Sequence, residues 1–113
     1  MFAKERLDEI VRAYTARLRT LFRDSLREVI LFGSYARGDA GWDSDVDLLV
    51  LVDLPRDAII PYRSAVADIT SDFLFSDEVF ISPVIENRDF YRAHIDILPF
   101  YRNIEQEGVR IGA

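Results

Sequence analysis

A chain of 113 residues is about the size of one ordinary domain, so residues 1–113 are expected to form a single unit around one core. Half of the residues are apolar and the charged residues are spread along the chain, which excludes a largely disordered protein, while the absence of cysteine excludes disulfides and thiolate chemistry. The formal net charge of -6, from 14 basic and 20 acidic residues, disfavours nucleic acid as a partner.

The first half of the chain alternates helix and strand signals. Apolar residues recur at three- and four-residue steps over residues 4–23, which predicts an amphipathic helix. The apolar run over 28–32 predicts a buried strand that ends at Gly33, followed by a short helix over 34–37. The strongest strand signal covers residues 46–52.

The same alternation continues in the second half. An amphipathic pattern over 57–74 predicts a helix with Pro61 in its first turn. Residues 78–85 are rich in β-branched and aromatic side chains and predict a third strand, in which Pro83 indicates a sheet edge or a strand end. Asn87 is the expected N-cap of the element that follows.

The C-terminal part is predicted to be helical. Short helices are expected over 90–94 and 100–107, separated by Pro99 and followed by the stop signal Gly108. The order helix, strand, helix, strand, helix, strand predicts an α/β (α+β) fold. We expect a small mixed β-sheet with helices packed on one face.

Two aspartates stand at the start of the strongest predicted strand. On a strand, side chains two positions apart point to the same face, so Asp45 and Asp47 are expected to project side by side. Two adjacent anions repel each other, and a hard divalent ion such as Mg²⁺ neutralises both with oxygen ligands. An isolated Asp-x-Asp is more often a solvated strand start, so the metal-binding interpretation depends on what precedes the pair.

A phosphate-binding turn is predicted just before the pair. Gly33 and Ser34 stand where a strand passes into a helix, and there a glycine lets the backbone approach a ligand while free N–H groups favour an anion. Ser34 adds a hydroxyl, and Arg37 adds a cation three residues on. A Gly-Ser pair alone more commonly marks an ordinary turn. Together with the aspartates on the next strand, it would bring a nucleoside triphosphate and Mg²⁺ into one site.

The segment GSYARGDAGWDSDVDLLV, residues 33–50, resembles the signature of the DNA polymerase beta-like nucleotidyltransferase superfamily. The chain is most similar to the minimal nucleotidyltransferases of that superfamily, and the resemblance covers nearly all of its length. It implies a polymerase beta-like core in which Gly33 and Ser34 hold the triphosphate and Arg37 lies near it. It also implies that Asp45 and Asp47 are catalytic and ligate Mg²⁺, with two ions able to assist attack of a hydroxyl on the α-phosphorus of ATP.

The resemblance extends to partners and location. Minimal nucleotidyltransferases are typically encoded beside a helical HEPN protein and act as antitoxins by placing AMP on a toxin tyrosine. We therefore expect ATP as substrate and a HEPN-type protein as partner. Net charge disfavours transfer to an RNA end, and the lack of an acceptor-binding domain disfavours both an RNA end and a small alcohol. The N-terminus lacks a signal-peptide pattern and no apolar run is long enough to span a bilayer, so we expect a cytoplasmic protein without membrane contact.

One departure from the family pattern bears on activity. Active members usually supply a third carboxylate from a neighbouring strand, and the aligned position here is Ser82. Glu78 or the adjacent Asp77 would substitute if the strand is shifted or the loop bends inward, although a solvated strand entrance explains both equally well. The alternative function is a catalytically impaired antitoxin that binds nucleotide or partner and masks its toxin without turnover.

Weaker signals carry no assigned role. Trp42 either stacks on a base or partner surface or pins its loop to the core, and His94 is expected to be solvated or hydrogen-bonded. Most C-terminal aromatic residues are expected in the core: Phe90, Tyr91, Phe100 and Tyr101. Several arginines make the N-terminal part locally basic, and a solvated helix face explains them more simply than a polyanionic partner: Arg12, Arg17, Arg19, Arg23 and Arg27.

Overall fold

The computed structural model describes residues 2–112. Its first half contains α1 (Lys4–Phe22), β1 (Leu26–Phe32), the single turn α2 (Ser34–Arg37) and β2 (Val46–Val52), in the order predicted from the sequence. Within residues 2–112, none of the helices is long and apolar enough to cross a membrane.

The second half contains more elements than were predicted. They are α3 (Arg56–Ile59), α4 (Arg63–Asp77), β3 (Ile81–Asn87), α5 (Arg88–His94), α6 (Pro99–Glu107) and β4 (Val109–Ile111). The helix predicted over 57–74 is two helices joined by a 3₁₀ turn at Ile60–Tyr62, which contains Pro61. The strand predicted over 78–85 begins three residues later, because α4 continues to Asp77 and ends at Glu78 in a left-handed conformation.

The four strands form one mixed sheet in the order β3-β2-β1-β4. β1 runs antiparallel to β2 and β4, whereas β2 and β3 are parallel. This confirms the mixed sheet, and it places Pro83 on an edge strand, as its missing N–H donor predicts. Asn87 caps α5 as expected, since its side chain accepts a 2.8 Å hydrogen bond from the Phe90 N–H.

The helices cover both faces of the sheet, which corrects the expectation of helices on one face. The first face packs against α1 and α4, with Val29, Leu48 and Val50 in the larger apolar cluster. The opposite face packs against α5 and α6, where the alternate residues of β1 and β2 meet buried side chains of both helices: Ile30, Leu49, Leu51, Tyr91, Tyr101 and Ile104. A strand that is apolar at successive positions must be covered on both sides, and β2 has this composition.

Candidate functional site

The predicted site residues meet at one end of the sheet. Because β1 and β2 are antiparallel, Phe32 at the end of β1 lies opposite Asp47 near the start of β2. Because β2 and β3 are parallel, Asp47 also lies opposite Ser82, the second residue of β3. Gly33, Asp47 and Ser82 therefore come from three adjacent strand ends. The strand period puts Asp47 and Ser82 on the same face of the sheet as Leu49, the face that packs against α5 and α6, whereas Asp45 precedes β2 and is exposed.

Gly33 brings the backbone of the turn directly against the carboxylate of Asp47. Its φ of 75° and ψ of -155° lie in a region that is essentially restricted to glycine. A Cβ built at this position would overlap the Oδ2 atom of Asp47 and would lie 3.2 Å from its Cγ. The predicted phosphate turn and the predicted metal ligand are thus neighbours in space, and glycine is required for both the backbone conformation and the contact.

The two aspartates occupy different environments. Asp47 is half-buried and Asp45 is exposed. Partial burial raises the pKa of Asp47 above its ordinary value, and the negative charge of Asp45 raises it further, while the guanidinium of Arg37 opposes both effects. Keeping both carboxylates ionised therefore costs free energy in the metal-free protein. A divalent cation between the carboxylates would relieve both the desolvation and the repulsion.

The donor set fits a Mg²⁺ ion that is shared with a polyphosphate. Within residues 2–112, no three histidine, cysteine, aspartate or glutamate side chains gather closely enough to form a metal site from protein alone. Mg²⁺ is commonly held by one or two carboxylates, with substrate phosphates and water completing its six ligands. Asp45 and Asp47 would supply the carboxylates, and the adjacent Gly33 turn is the place where phosphates would lie.

The position expected for a third carboxylate carries a hydroxyl. Ser82, the residue aligned with that position, lies opposite Asp47 in the parallel register. Asp77 accepts a 2.7 Å hydrogen bond from Arg6 of α1, and Glu78 is exposed at the left-handed end of α4. Neither lies on β3, so the strand face that Glu78 was expected to share with Ser82 does not exist.

Arg37 is close to the site but is engaged elsewhere. Its guanidinium donates to Asp39 at 3.2 Å and to Glu107 of α6 at 3.3 Å, and these contacts raise the pKa of Arg37. The side chain is exposed, and ion pairs of this kind contribute little free energy. Because Arg37 also lowers the pKa of Asp47, it lies within electrostatic reach of the carboxylates and is able to turn toward a bound phosphate.

The contribution of α6 to the site was missed by sequence reasoning. A depression of about 210 Å³ adjoins the Gly33 turn and is lined by residues of β1, α2 and α6: Phe32, Gly33, Arg37, Phe100, Asn103 and Glu107. Phe100 meets Phe32 edge-on with ring centroids 5.6 Å apart. No local sequence motif marks these α6 residues, since only the packing of α6 on the sheet brings them to the turn.

The structure also shows the environments of Trp42, His94 and the C-terminal aromatic residues. Trp42 is 87% exposed, so it does not pin its loop to the core and that interpretation is wrong. His94 is hydrogen-bonded, as expected, with Nδ1 2.7 Å from the carbonyl oxygen of Phe90. Of the four C-terminal aromatic residues, Tyr91 and Tyr101 are buried, while Phe100 is 49% exposed at the margin of the site.

Comparisons with known proteins agree with this geometry. A model of the nucleotidyltransferase domain family matches residues 12–110. Two proteins of Methanocaldococcus jannaschii, provisionally named protein adenylyltransferases, are 30% identical over 101 residues and 34% identical over 104 residues. These alignments cover 89% and 91% of this chain and 93% and 96% of the relatives. A chain of a solved toxin–antitoxin complex with AMP-PNP has a TM-score of 0.53 at 17% identity, over 89% of this chain and 73% of that one.

The family match includes the whole segment from the Gly33 turn through both aspartates. The two relatives align over nine-tenths of this chain and of their own length, and the solved structure shares its fold. These findings confirm the resemblance drawn from the residues of the segment. The chain therefore belongs to the nucleotidyltransferase domain family and is a nucleotidyltransferase of the minimal, polymerase beta-like type.

Proposed function

We propose that this protein transfers AMP from ATP to a hydroxyl group of a partner protein, with Mg²⁺ bound by Asp45 and Asp47. The observation that carries the proposal is the contact of the Gly33 backbone with the Asp47 carboxylate. A turn that binds phosphates and a carboxylate that binds Mg²⁺ must be adjacent if one ion is to contact both the protein and a nucleoside triphosphate. Few other functions require this juxtaposition.

Each site residue has a distinct role in the proposed reaction. The N–H groups of the turn and the hydroxyl of Ser34 bind the β- and γ-phosphates, and Arg37 adds positive charge beside them. Bound Mg²⁺ would neutralise the charge that develops on the phosphate oxygens. A bond forms between the acceptor oxygen and the α-phosphorus, the bond from that phosphorus to the bridging oxygen breaks, and pyrophosphate leaves. The proton of the hydroxyl passes to solvent or to a base of the partner, because Ser82 is not a carboxylate.

The acceptor is proposed to be a tyrosine of a HEPN-type toxin, which makes this protein an antitoxin. The site is open, since Asp45 and the neighbouring Trp42 are exposed and no described element covers them. An acceptor hydroxyl on the surface of a folded protein can reach a site that is exposed in this way. The relatives named protein adenylyltransferases and the fold shared with a toxin–antitoxin complex support this choice.

The test combines the purified protein, the protein of the neighbouring gene, Mg²⁺ and α-labelled ATP, followed by intact mass of both chains. We expect the partner to gain one or more AMP units, and peptide mapping to locate them on tyrosine. A variant with Asp45→Asn and Asp47→Asn should transfer nothing, whereas the matched variant with Asp53→Asn and Asp57→Asn removes two exposed carboxylates that contact no proposed site residue and should transfer normally. AMP transfer by the Asp45 and Asp47 variant would refute the metal assignment.

A second function, masking of the toxin without turnover, is favoured by the serine at position 82. Replacing Ser82 with Asp places a third carboxylate opposite Asp47 on the same face of the sheet. If the natural site is impaired for want of this group, Ser82→Asp should raise the transfer rate at least tenfold in Mg²⁺. Stable complex formation with no AMP added, by the natural protein or by Ser82→Asp, would replace the enzymatic proposal with the masking function.

A further inference from the structure

A cluster of arginines lies at the other end of β1 from the nucleotidyltransferase site. It lines an open depression of about 640 Å³ that contains four arginines, one aspartate and one leucine: Arg19, Arg23, Arg27, Arg88, Asp24 and Leu26. The depression adjoins the first residue of β1, and Gly33 follows the last one. Seven residues of strand span about 23 Å, so the two sites are well separated.

The backbone under this cluster is irregular at two places. Arg23 has a φ of 55° and a ψ of -130°, a conformation that is costly for any residue other than glycine. The pairing of β1 with β2 shifts between Leu26 and Glu28, so Arg27 is the additional residue of a β-bulge. Bulges reorient side chains and are frequent beside functional sites. Both irregularities present an arginine to the same depression.

Three of the four arginines have no acidic partner within residues 2–112. Seven other arginines of this part form ion pairs, and Arg88 is among them through Glu28 at 3.0 Å, whereas Arg19, Arg23 and Arg27 form none. Arg12, Arg63 and Arg102 also form no ion pair in this part of the chain, but none of them lines this depression, where three such arginines lie together. The dipole of α1 accounts for cations at its C-terminal end, namely Arg19 and Arg23, but not for Arg27 or Arg88 on other elements.

We propose that this arginine cluster is an anion-binding site for a ligand with two or more linked phosphate groups. A guanidinium group can donate two parallel hydrogen bonds to phosphate oxygens. Three arginines without ion-pair partners around one depression therefore suit a ligand with several such oxygens. No aromatic side chain lines the depression, so it offers no surface for stacking a base and recognises phosphate alone. Asp24 is the one acidic residue in the lining and is outnumbered by four arginines, so the depression keeps a net positive charge.

The test is a titration of the ¹⁵N-labelled full chain with inorganic tripolyphosphate, followed by NMR of backbone amides and arginine side chains. We expect shifts at Arg19, Arg23 and Arg27 that saturate independently of shifts at Gly33 and Ser34. A variant with Arg23→Gln and Arg27→Gln should bind at the cluster at least tenfold more weakly. The matched control, Lys4→Gln with Arg63→Gln, removes two exposed cations elsewhere and should leave this binding unchanged.

Titrations with two other ligands identify the source of the phosphate chain and define the results that would overturn the proposal. A short oligoribonucleotide that shifts the same three arginines more strongly than tripolyphosphate would assign the ligand to RNA, and the reverse order would assign it to a free polyphosphate. Shifts confined to Gly33 and Ser34 would overturn the proposal. Binding of a polyglutamate peptide with no response to either phosphate ligand would overturn it as well, in favour of an acidic protein segment. These outcomes do not depend on AMP transfer.

Discussion

Replacement of Gly33 with alanine should destabilise the protein and separate the phosphate turn from the aspartates. The backbone conformation at Gly33 costs a non-glycine residue about 1–3 kcal/mol. The added Cβ also overlaps the Oδ2 of Asp47, and accommodating an extra methyl group in a tightly packed place costs about 1–3 kcal/mol more. The expected loss is therefore about 2–6 kcal/mol in the free energy of unfolding, a large part of the stability of such a domain.

Gly38→Ala provides the matched control. Gly38 also has a positive φ, 84°, but a Cβ there meets no atom within 4 Å, so only the backbone cost of about 1 kcal/mol applies. Urea unfolding of both variants measures the difference, and an Asp47→Ala background should recover the part due to overlap. Equal losses for Gly33→Ala and Gly38→Ala, with no recovery in that background, would refute the contact of Gly33 with Asp47.

Three further predictions concern single side chains. Asp47→Asn should stabilise the metal-free protein at pH 7, because burial and the charge of Asp45 raise the pKa of Asp47 and so penalise its ionised form. Urea unfolding should show this gain shrinking as the pH falls and Asp47 becomes protonated. Burial raises the pKa of Tyr91 to about 12, so the free energy of unfolding should fall between pH 10 and pH 12. Tyr91→Phe should reduce this fall, and it should not lower the free energy of unfolding at pH 7, since the buried hydroxyl has no hydrogen-bond partner. Trp42→Ala should change the free energy of unfolding by less than about 0.5 kcal/mol, while a drop in AMP transfer would assign this exposed ring to ligand or partner binding.

The elements with a strong periodic signal were predictable, and those that depend on distant contacts were not. The range 46–52 was predicted for β2 and found unchanged, because seven successive strand-compatible residues admit few alternatives. β4 was missed because three residues are too short to carry a period, and only pairing with β1 makes them a strand. The packing of helices on both faces of the sheet could have been predicted. Every residue from 48 to 52 is apolar, and successive residues of a strand point to opposite faces, so an uncovered face would expose about half of them to water.

The proximity of the candidate site residues was predictable where they belong to one continuous segment. Gly33, Asp45 and Asp47 belong to a strand, a turn and the next strand, so antiparallel pairing of neighbours along the chain brings them together. The assignment of Ser82 to the position of a third carboxylate came from the family resemblance, and the register places Ser82 opposite Asp47. The ion pair of Arg37 with Glu107 joins residues 70 positions apart and has no local signal. The roles of these residues in AMP transfer remain predictions.

The C-terminal residues hold the segment of the candidate site in place although they lie far from it in sequence. Pairing with β4 makes β1 an interior strand, which fixes the end of β1 from which the Gly33 turn departs. A Cβ at Gly108 would lie 2.5 Å from Ile30 Cγ2 of β1, so the passage from α6 to β4 packs directly on that strand. This close approach sets α6 against the sheet, with Phe100 beside Phe32 and Glu107 beside Arg37. The segment of the candidate site thus takes its orientation from the packing of α6 and β4, and this packing explains how the domain keeps the Gly33 turn beside Asp47.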